Sequence, residues 1–183
     1  STDHGNTWVE IKNGLPNSNL GKIGLAISPF DSTIVYAAVE TDRRNGAVYK
    51  TTNSGGNWKK MSDTVSGATG PHYYQELVAS PHVFDKIYLM DTKVQVSENG
   101  GKDFYVMNES DKHVDNHSLT FKMSDPNYLL IGTDGGVYES FDDTNSWKFV
   151  ANLPLTQFYK LAVDDAYPFY NIFGGTQDNN TQG

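Results

Sequence analysis

Thr51-Thr52-Asn53-Ser54-Gly55-Gly56-Asn57-Trp58 decides the fold, because its pattern recurs along the chain. A hydroxyl residue is followed two positions on by Asp or Asn, then two positions on by Gly, and an aromatic closes the octet. The same description fits Ser1-Thr2-Asp3-His4-Gly5-Asn6-Thr7-Trp8 and Ser97-Glu98-Asn99-Gly100-Gly101-Lys102-Asp103-Phe104. It also fits Ser140-Phe141-Asp142-Asp143-Thr144-Asn145-Ser146-Trp147, except that Thr144 stands where the others have Gly. The starts lie 50, 46 and 43 residues apart (51−1, 97−51, 140−97). A recurrence at this spacing marks a solenoid or a propeller.

Each residue type in the octet has a physical task. A short Asp or Asn side chain accepts hydrogen bonds from amides just ahead of it, and a Ser or Thr hydroxyl does the same from the other side of the turn. Gly tolerates the positive φ that a tight hairpin demands. The closing aromatic brings enough apolar area to anchor the turn in a core. Thr144 therefore predicts a distorted fourth turn.

Short strand-like runs fill the intervals in a fixed order. Residues 23–27, 34–39, 47–50 and 58–61 make one set of four, residues 76–79, 86–90, 94–96 and 104–107 a second, and residues 118–122, 128–132, 136–139 and 147–150 a third. Residues 158–163 and 170–174 begin a fourth, and residues 7–12 read as an outer strand whose sheet lies upstream. No helical periodicity of useful length occurs. The expectation is an all-β propeller segment of four-stranded antiparallel blades, three complete and one partial at each end. The units run over about 1–14 (partial), 20–62, 75–107, 118–150 and 157–183 (partial) of one domain. Because the chain opens inside a repeat, a piece of a longer protein is expected. Open blade faces imply self-association or association with the rest of a parent propeller.

The 183 residues suffice for one domain with a real core. No apolar run approaches membrane-spanning length, so no membrane insertion is expected. A net charge of −8 argues against nucleic acid as a partner. Cysteine is absent, which excludes disulfides and thiolate metal sites.

In an up-and-down blade, alternate connections emerge on one rim. The octet turns share theirs with the first-to-second strand turns, and the second-to-third strand loops share the other with the blade-to-blade connections. That second rim collects the unusual polar residues: Arg43, Arg44, His72, Tyr73, Tyr74, Asp134, Gln177 and Asn179 are the candidate ligand-binding residues. Loops on a rigid scaffold are where ligand sites sit. In His113-Val114-Asp115-Asn116-His117, an extended backbone would point His113, Asp115 and His117 to one side, which suits zinc or another divalent ion. The alternative is a His-rich loop that hydrogen-bonds neighbouring blades, with no cofactor at all. Asp115 and Asp178 are the candidate catalytic pair, since glycoside hydrolysis needs two carboxyls at roughly 5–10 Å. Asp134 in Thr133-Asp134-Gly135-Gly136 and Asp178 in Gln177-Asp178-Asn179 also read as ordinary turn formers. Tyr73 and Tyr74 suit stacking on a sugar or packing in a core equally well.

The octet resembles the Asp-box, or bacterial neuraminidase repeat. The resemblance gives Asp3, Trp8, Asn53, Trp58, Asn99, Phe104, Asp142 and Trp147 a structural role between the third and fourth strands of a blade, away from the ligand face. It extends to Gly24-Leu25-Ala26-Ile27-Ser28-Pro29, His72-Tyr73-Tyr74, Asp115-Asn116-His117, Gly132-Thr133-Asp134-Gly135-Gly136-Val137, Gln157-Phe158-Tyr159 and Gly174-Gly175-Thr176-Gln177-Asp178-Asn179. These runs are similar to the repeats of large secreted glycosyl-hydrolase-repeat and sortilin-like (vacuolar sorting receptor) domain proteins. Their blade design is similar to that of xyloglucanases and photosystem II assembly-factor propellers. The resemblance implies an extracellular or periplasmic protein. It implies a loop face that binds a glycan or an extended peptide, or else a glycoside hydrolase with an aspartate pair, or else a structural segment of a surface protein. It excludes a sialidase acting alone: sialidases grip their substrate with three arginines, and this chain has two, adjacent.

Overall fold

The computed structural model describes residues 1–42, 45–64, 74–179 and 181–182. It is all-β, with no helix among the described residues. Sheet 1 contains β1 (Ile23–Ile27), β2 (Val35–Asp42), β3 (Asn45–Thr51) and β4 (Lys59–Ser62). Sheet 2 contains β5 (Leu77–Ala79), β6 (Ile87–Leu89), β7 (Gln95–Ser97) and β8 (Tyr105–Val106). Sheet 3 contains β9 (Asn116–Lys122), β10 (Asp125–Thr133), β11 (Gly136–Ser140) and β12 (Lys148–Phe149), and sheet 4 contains β13 (Phe158–Val163), β14 (Ile172–Thr176) and β15 (Thr181–Gln182). Strands follow one another in chain order across every sheet, and each pairing is antiparallel.

The second, third and fourth octets join third strands to fourth strands, and all four octets close in the same way. The Ser or Thr hydroxyl accepts the amide four residues on: Gly5 to Ser1 at 2.8 Å, Gly55 to Thr51 at 3.1 Å, Gly101 to Ser97 at 2.9 Å and Thr144 to Ser140 at 3.0 Å. The Asp or Asn side-chain Oδ1 accepts the amide four residues beyond itself, at 2.9, 2.8, 3.0 and 2.9 Å for Thr7, Asn57, Asp103 and Ser146. Between these two bonds lie two successive residues at positive φ, with values of 57° and 90°, 55° and 85°, 71° and 91°, and 50° and 72°. The fourth turn is therefore not distorted as expected. Thr144 adopts the left-handed conformation that Gly adopts in the other copies, because the hydrogen bonds from both sides impose it.

The turn also locks to its own sheet. Its fourth residue donates to the first-to-second strand turn: Ser54 to Thr33 at 2.8 Å, Gly100 to Asp85 at 2.9 Å and Asp143 to Asn127 at 3.1 Å. Both kinds of turn thus share one rim.

Period-two alternation sends each strand's side chains to two faces. Ile87 and Leu89 of β6 join Tyr36, Ala38 and Val48 in a core between sheets 1 and 2, whereas Tyr88, Met90 and Val96 join Leu119, Leu129 and Ile131 between sheets 2 and 3. The sheets therefore stack face to face. Two of the closing aromatics pack toward the preceding sheet: Phe104 into the first of these cores and Trp147 into the second. Trp58 lies on the outer side of sheet 1 with Leu15.

Polar clips complete two of the junctions. The buried Gln75 donates its side-chain amide to the Lys22 and Ala38 carbonyls of sheet 1, each at 2.8 Å. Asn116, buried at the start of sheet 3, donates to the Asp91 and Thr92 carbonyls at 3.2 and 2.9 Å.

The two ends differ from expectation. Residues 7–12 form no strand, because the described residues offer them no neighbouring edge to pair with; Trp8 and Val9 are each 79% exposed. Sheet 4 carries a third strand, β15, that was not expected, and its apolar residues Leu161, Val163 and Ile172 lie open to solvent.

Two outcomes follow for stability. Replacing Thr144 with Gly relieves a β-branched residue in the left-handed region and raises unfolding stability by about 1 kcal/mol. Gln75→Ala removes two hydrogen bonds to sheet 1 and lowers it by about 1–3 kcal/mol. Urea titrations followed by tryptophan fluorescence read both changes.

Candidate functional site

The rim opposite the repeated turns gathers Tyr74, the loop before β9, the β10–β11 turn and the β14–β15 turn. At its centre is a relay of side chains. The Tyr74 hydroxyl donates to Asp115 Oδ1 at 2.7 Å, and the Tyr74 ring stacks on His117 with centroids 5.2 Å apart and planes 21° apart. His117 Nε2 lies 2.9 Å from Asp134 Oδ1, and the Asp134 amide donates to the Asp115 carbonyl at 3.1 Å. The chain between β8 and β9 is thereby tied to the β10–β11 turn.

A buried ion pair holds this loop from below. The Lys112 side chain is fully enclosed and pairs with Glu109, while its ammonium also donates to Asn116 Oδ1 at 2.6 Å and the His113 carbonyl at 3.1 Å. Glu109 in turn accepts the Val94 amide at 2.8 Å. Burial pulls the Lys112 ammonium below its ordinary range, against the pull of Glu109. The pair, the Asn116 clip and the Trp147 ring 5.8 Å from the ammonium fix the loop over sheets 2 and 3.

The divalent-metal reading of His113, Asp115 and His117 is corrected by this geometry. Asp115 has φ of 62°, so the segment is not extended; His113 Nδ1 lies 4.0 Å from Asp115 Oδ2, while His117 turns to Asp134. His113 Nδ1 lies 2.7 Å from the Val114 carbonyl, and His117 is engaged with Asp134. Among the described residues no group of three or more His, Asp or Glu is arranged to hold a metal.

The remaining candidates divide. Asp134, Gln177 and Asn179 line a single cleft of about 590 Å³ between sheets 3 and 4. Thr133, Gly135, Gly136, Val137, Phe149, Leu153, Leu155, Thr156, Gln157 and Thr176 also line it. Neither Asp115 nor Asp178 belongs to that lining. Asp115 is half-buried under the Tyr74 hydroxyl, and Asp178 sits at φ 53° in the β14–β15 turn and accepts from Gln177 Nε2 at 2.9 Å. Tyr74 is buried against His117, so it supports the site and is no stacking platform. Arg43, Arg44, His72 and Tyr73 lie outside the described residues.

The cleft exists because the third junction lacks the clip of the other two. Gln75, Asn116 and Gln157 recur 41 and 41 residues apart (116−75, 157−116), each at or just before the first strand of its sheet. Gln75 and Asn116 bond the preceding sheet, whereas Gln157 is exposed and lines the opening. This amide periodicity was available in the sequence and would have marked Gln157. The Lys112–Glu109 pair left no such signal.

No protein-family model and no curated protein matches the sequence. Solved structures do. The GH74 enzyme of Niastella koreensis superposes with a TM-score of 0.59 at 12% identity, over 85% of this chain and 26% of that one. The GH74 xyloglucanase of Xanthomonas campestris gives 0.57 at 18%, over 87% and 27%, and YCF48 of Cyanidioschyzon merolae gives 0.51 at 16%, over 75% and 39%. The fold is that of a β-propeller segment. The chain spans about a quarter of the length of the two enzymes it resembles, and identities this low speak for the fold alone.

Burial and the Asp115 carboxylate push the Tyr74 phenol up to about 12. An unfolded tyrosine titrates near 10, so the folded state holds the proton more tightly. That stabilisation is complete below pH ~10 and is lost as the pH rises toward about 12. Tyr74→Phe is therefore less stable than the wild type at neutral pH, and the gap narrows through this window; urea unfolding on either side of pH ~10 measures it.

Proposed function

We propose that the loop rim is a recognition surface for a glycan or an extended peptide, centred on the cleft between sheets 3 and 4. The observation that supports it most is the convergence of Asp134, Gln177 and Asn179 on one opening. Two of these residues come from the β14–β15 turn and one from the β10–β11 turn, separate second-to-third strand connections. The cleft offers amides, hydroxyls and one carboxylate beside the Phe149 ring edge and the Leu153 and Leu155 side chains. Neutral donors and acceptors next to an apolar wall suit a sugar ring or a peptide backbone with small side chains. In this reading the repeated turns are Asp-boxes, structural and remote from ligand, and the protein works outside the cytoplasm as a segment of a secreted propeller. A fold shared with a xyloglucanase agrees with a glycan ligand.

A hydrolase reading needs two carboxyls facing one bound bond. Asp115 and Asp178 stand apart from the cleft lining, and Asp134 is the one carboxylate in it. Binding without cleavage is the function these positions favour.

A screen of polysaccharides and unstructured peptides by calorimetry tests the proposal. Asp134→Ala and Gln177→Ala should each weaken binding about tenfold, roughly 1.4 kcal/mol, with the melting temperature unchanged in Gln177→Ala. Undiminished binding by both variants, or no binding by the parent chain, contradicts it. Reducing ends released by the parent chain and abolished in Asp115→Asn or Asp178→Asn would replace it with the hydrolase.

A further inference from the structure

Asp134 brings the one carboxylate into the cleft between sheets 3 and 4, from the two-residue turn that joins β10 to β11. A side chain on such a turn has several rotamers open to it, and fixing one in advance lowers what a ligand must give up on binding. Here His117 Nε2 lies 2.9 Å from Asp134 Oδ1, which leaves Oδ2 to accept a second donor. His117 is itself outside the cleft lining. Its ring is fixed in turn by Tyr74, stacked on it with planes 21° apart, and the Tyr74 hydroxyl is held by Asp115 Oδ1 at 2.7 Å. The backbone of the same turn is confined from a second side. The His113 ring lies against Gly135, where a Cβ would fall 2.5 Å from His113 Cγ, and Gly135 also lines the cleft. Two histidines of one loop thus grip the β10–β11 turn, one at its carboxylate and one at its glycine.

We propose that His117 is the positioning residue of this site: it sets the Asp134 carboxylate in the orientation that meets ligand, and holds it more firmly when the imidazole is charged. The role presupposes that the cleft is the ligand site. Neutral imidazole can donate from Nε2, and an imidazolium adds the attraction of a full opposite charge across the same 2.9 Å. Histidine is the side chain that ordinarily changes charge between about pH 5 and 8. Tyr74 and Asp134 touch the His117 ring. The next titratable groups are Asp115, bonded to the Tyr74 hydroxyl, and His113, whose Nδ1 lies 4.0 Å from Asp115 Oδ2. Glu109 and Lys112 form their own closed pair beneath the loop. The Tyr74 phenol, pushed up to about 12 by burial and Asp115, keeps its proton throughout. Ligand therefore binds more tightly in mild acid, and affinity falls as the pH rises through the imidazole range.

Two measurements test this. The first uses no ligand: the carboxyl carbon resonance of Asp134 and the imidazole nitrogen resonances of His117 are followed in the labelled chain from about pH 5 to 8. The expected result is one shared midpoint, with the Asp134 step lost in His117→Gln. An Asp134 resonance that ignores the His117 midpoint, or keeps its step in His117→Gln, overturns the proposal. The second is calorimetric binding of xyloglucan and, separately, of an unstructured peptide of glycine, alanine and serine. Affinity of the parent chain for its ligand should fall about two- to fivefold across that range. His117→Phe keeps a ring against Tyr74 without a donor and should lose about tenfold. His117→Gln restores a donor, and should recover most of that loss and bind independently of pH. His117→Gln binding no better than His117→Phe, or with the parent's pH profile, overturns the proposal. Binding of neither probe at any pH counts against the ligand site itself, and the resonance titration then still decides whether His117 sets Asp134.

Discussion

Two consecutive residues at positive φ, held there by amide bonds to a hydroxyl and to a carboxylate or carboxamide that both precede them in the chain, are the constraint on which the rest depends. L-residues avoid that conformation, and a pair of them is stable only where the surroundings over-determine it. Here each turn supplies two side-chain acceptors for its own amides. Three of the turns also donate a backbone bond to the neighbouring strand connection. Thr144 shows how strong the constraint is, since a β-branched residue takes the geometry without loss of either bond. The reversed chain then delivers an aromatic to a fixed place on the preceding sheet, which sets how successive sheets stack.

Stacking has two layers of support, and their absence is informative. Apolar side chains fill the first two junctions, and a buried amide clips each of them at the end near the loop rim. The third junction has neither a shared core nor a clip among the described residues, and there the structure opens into the cleft. The cleft at that place follows from the same repeat that builds the scaffold: it is the one described junction where the repeated polar residue, Gln157, is left facing solvent instead of the next sheet.

Much of this was legible in the sequence. The octets carry their own chemistry in three or four side chains, so their spacing revealed the sheets, the strand order and the rim on which polar loops collect. That Asp134, Gln177 and Asn179 share a rim could be read because they stand in turns between strands already placed, and the structure puts all three along one cleft. What escaped was whatever depends on partners distant in the chain. His113, Asp115 and His117 read as a ligand set only while the backbone between them is taken as extended, and the positive φ of Asp115 is imposed by bonds to Tyr74 and Asp134. The Lys112–Glu109 pair is two ordinary surface residues on paper and becomes a buried support through Trp147 and Asn116. Residues 7–12 have a strand's composition and no strand, because an outer strand needs an edge to lie against.

The central claim is that ligand meets the protein on the loop rim and leaves the turn rim untouched. Amide chemical-shift mapping during titration with the best ligand tests it directly. The account predicts shifts at residues 133–137 and 176–179, with the amides of Gly55, Gly101 and Thr144 unmoved. Shifts confined to those turn amides, with none around the cleft, would contradict it.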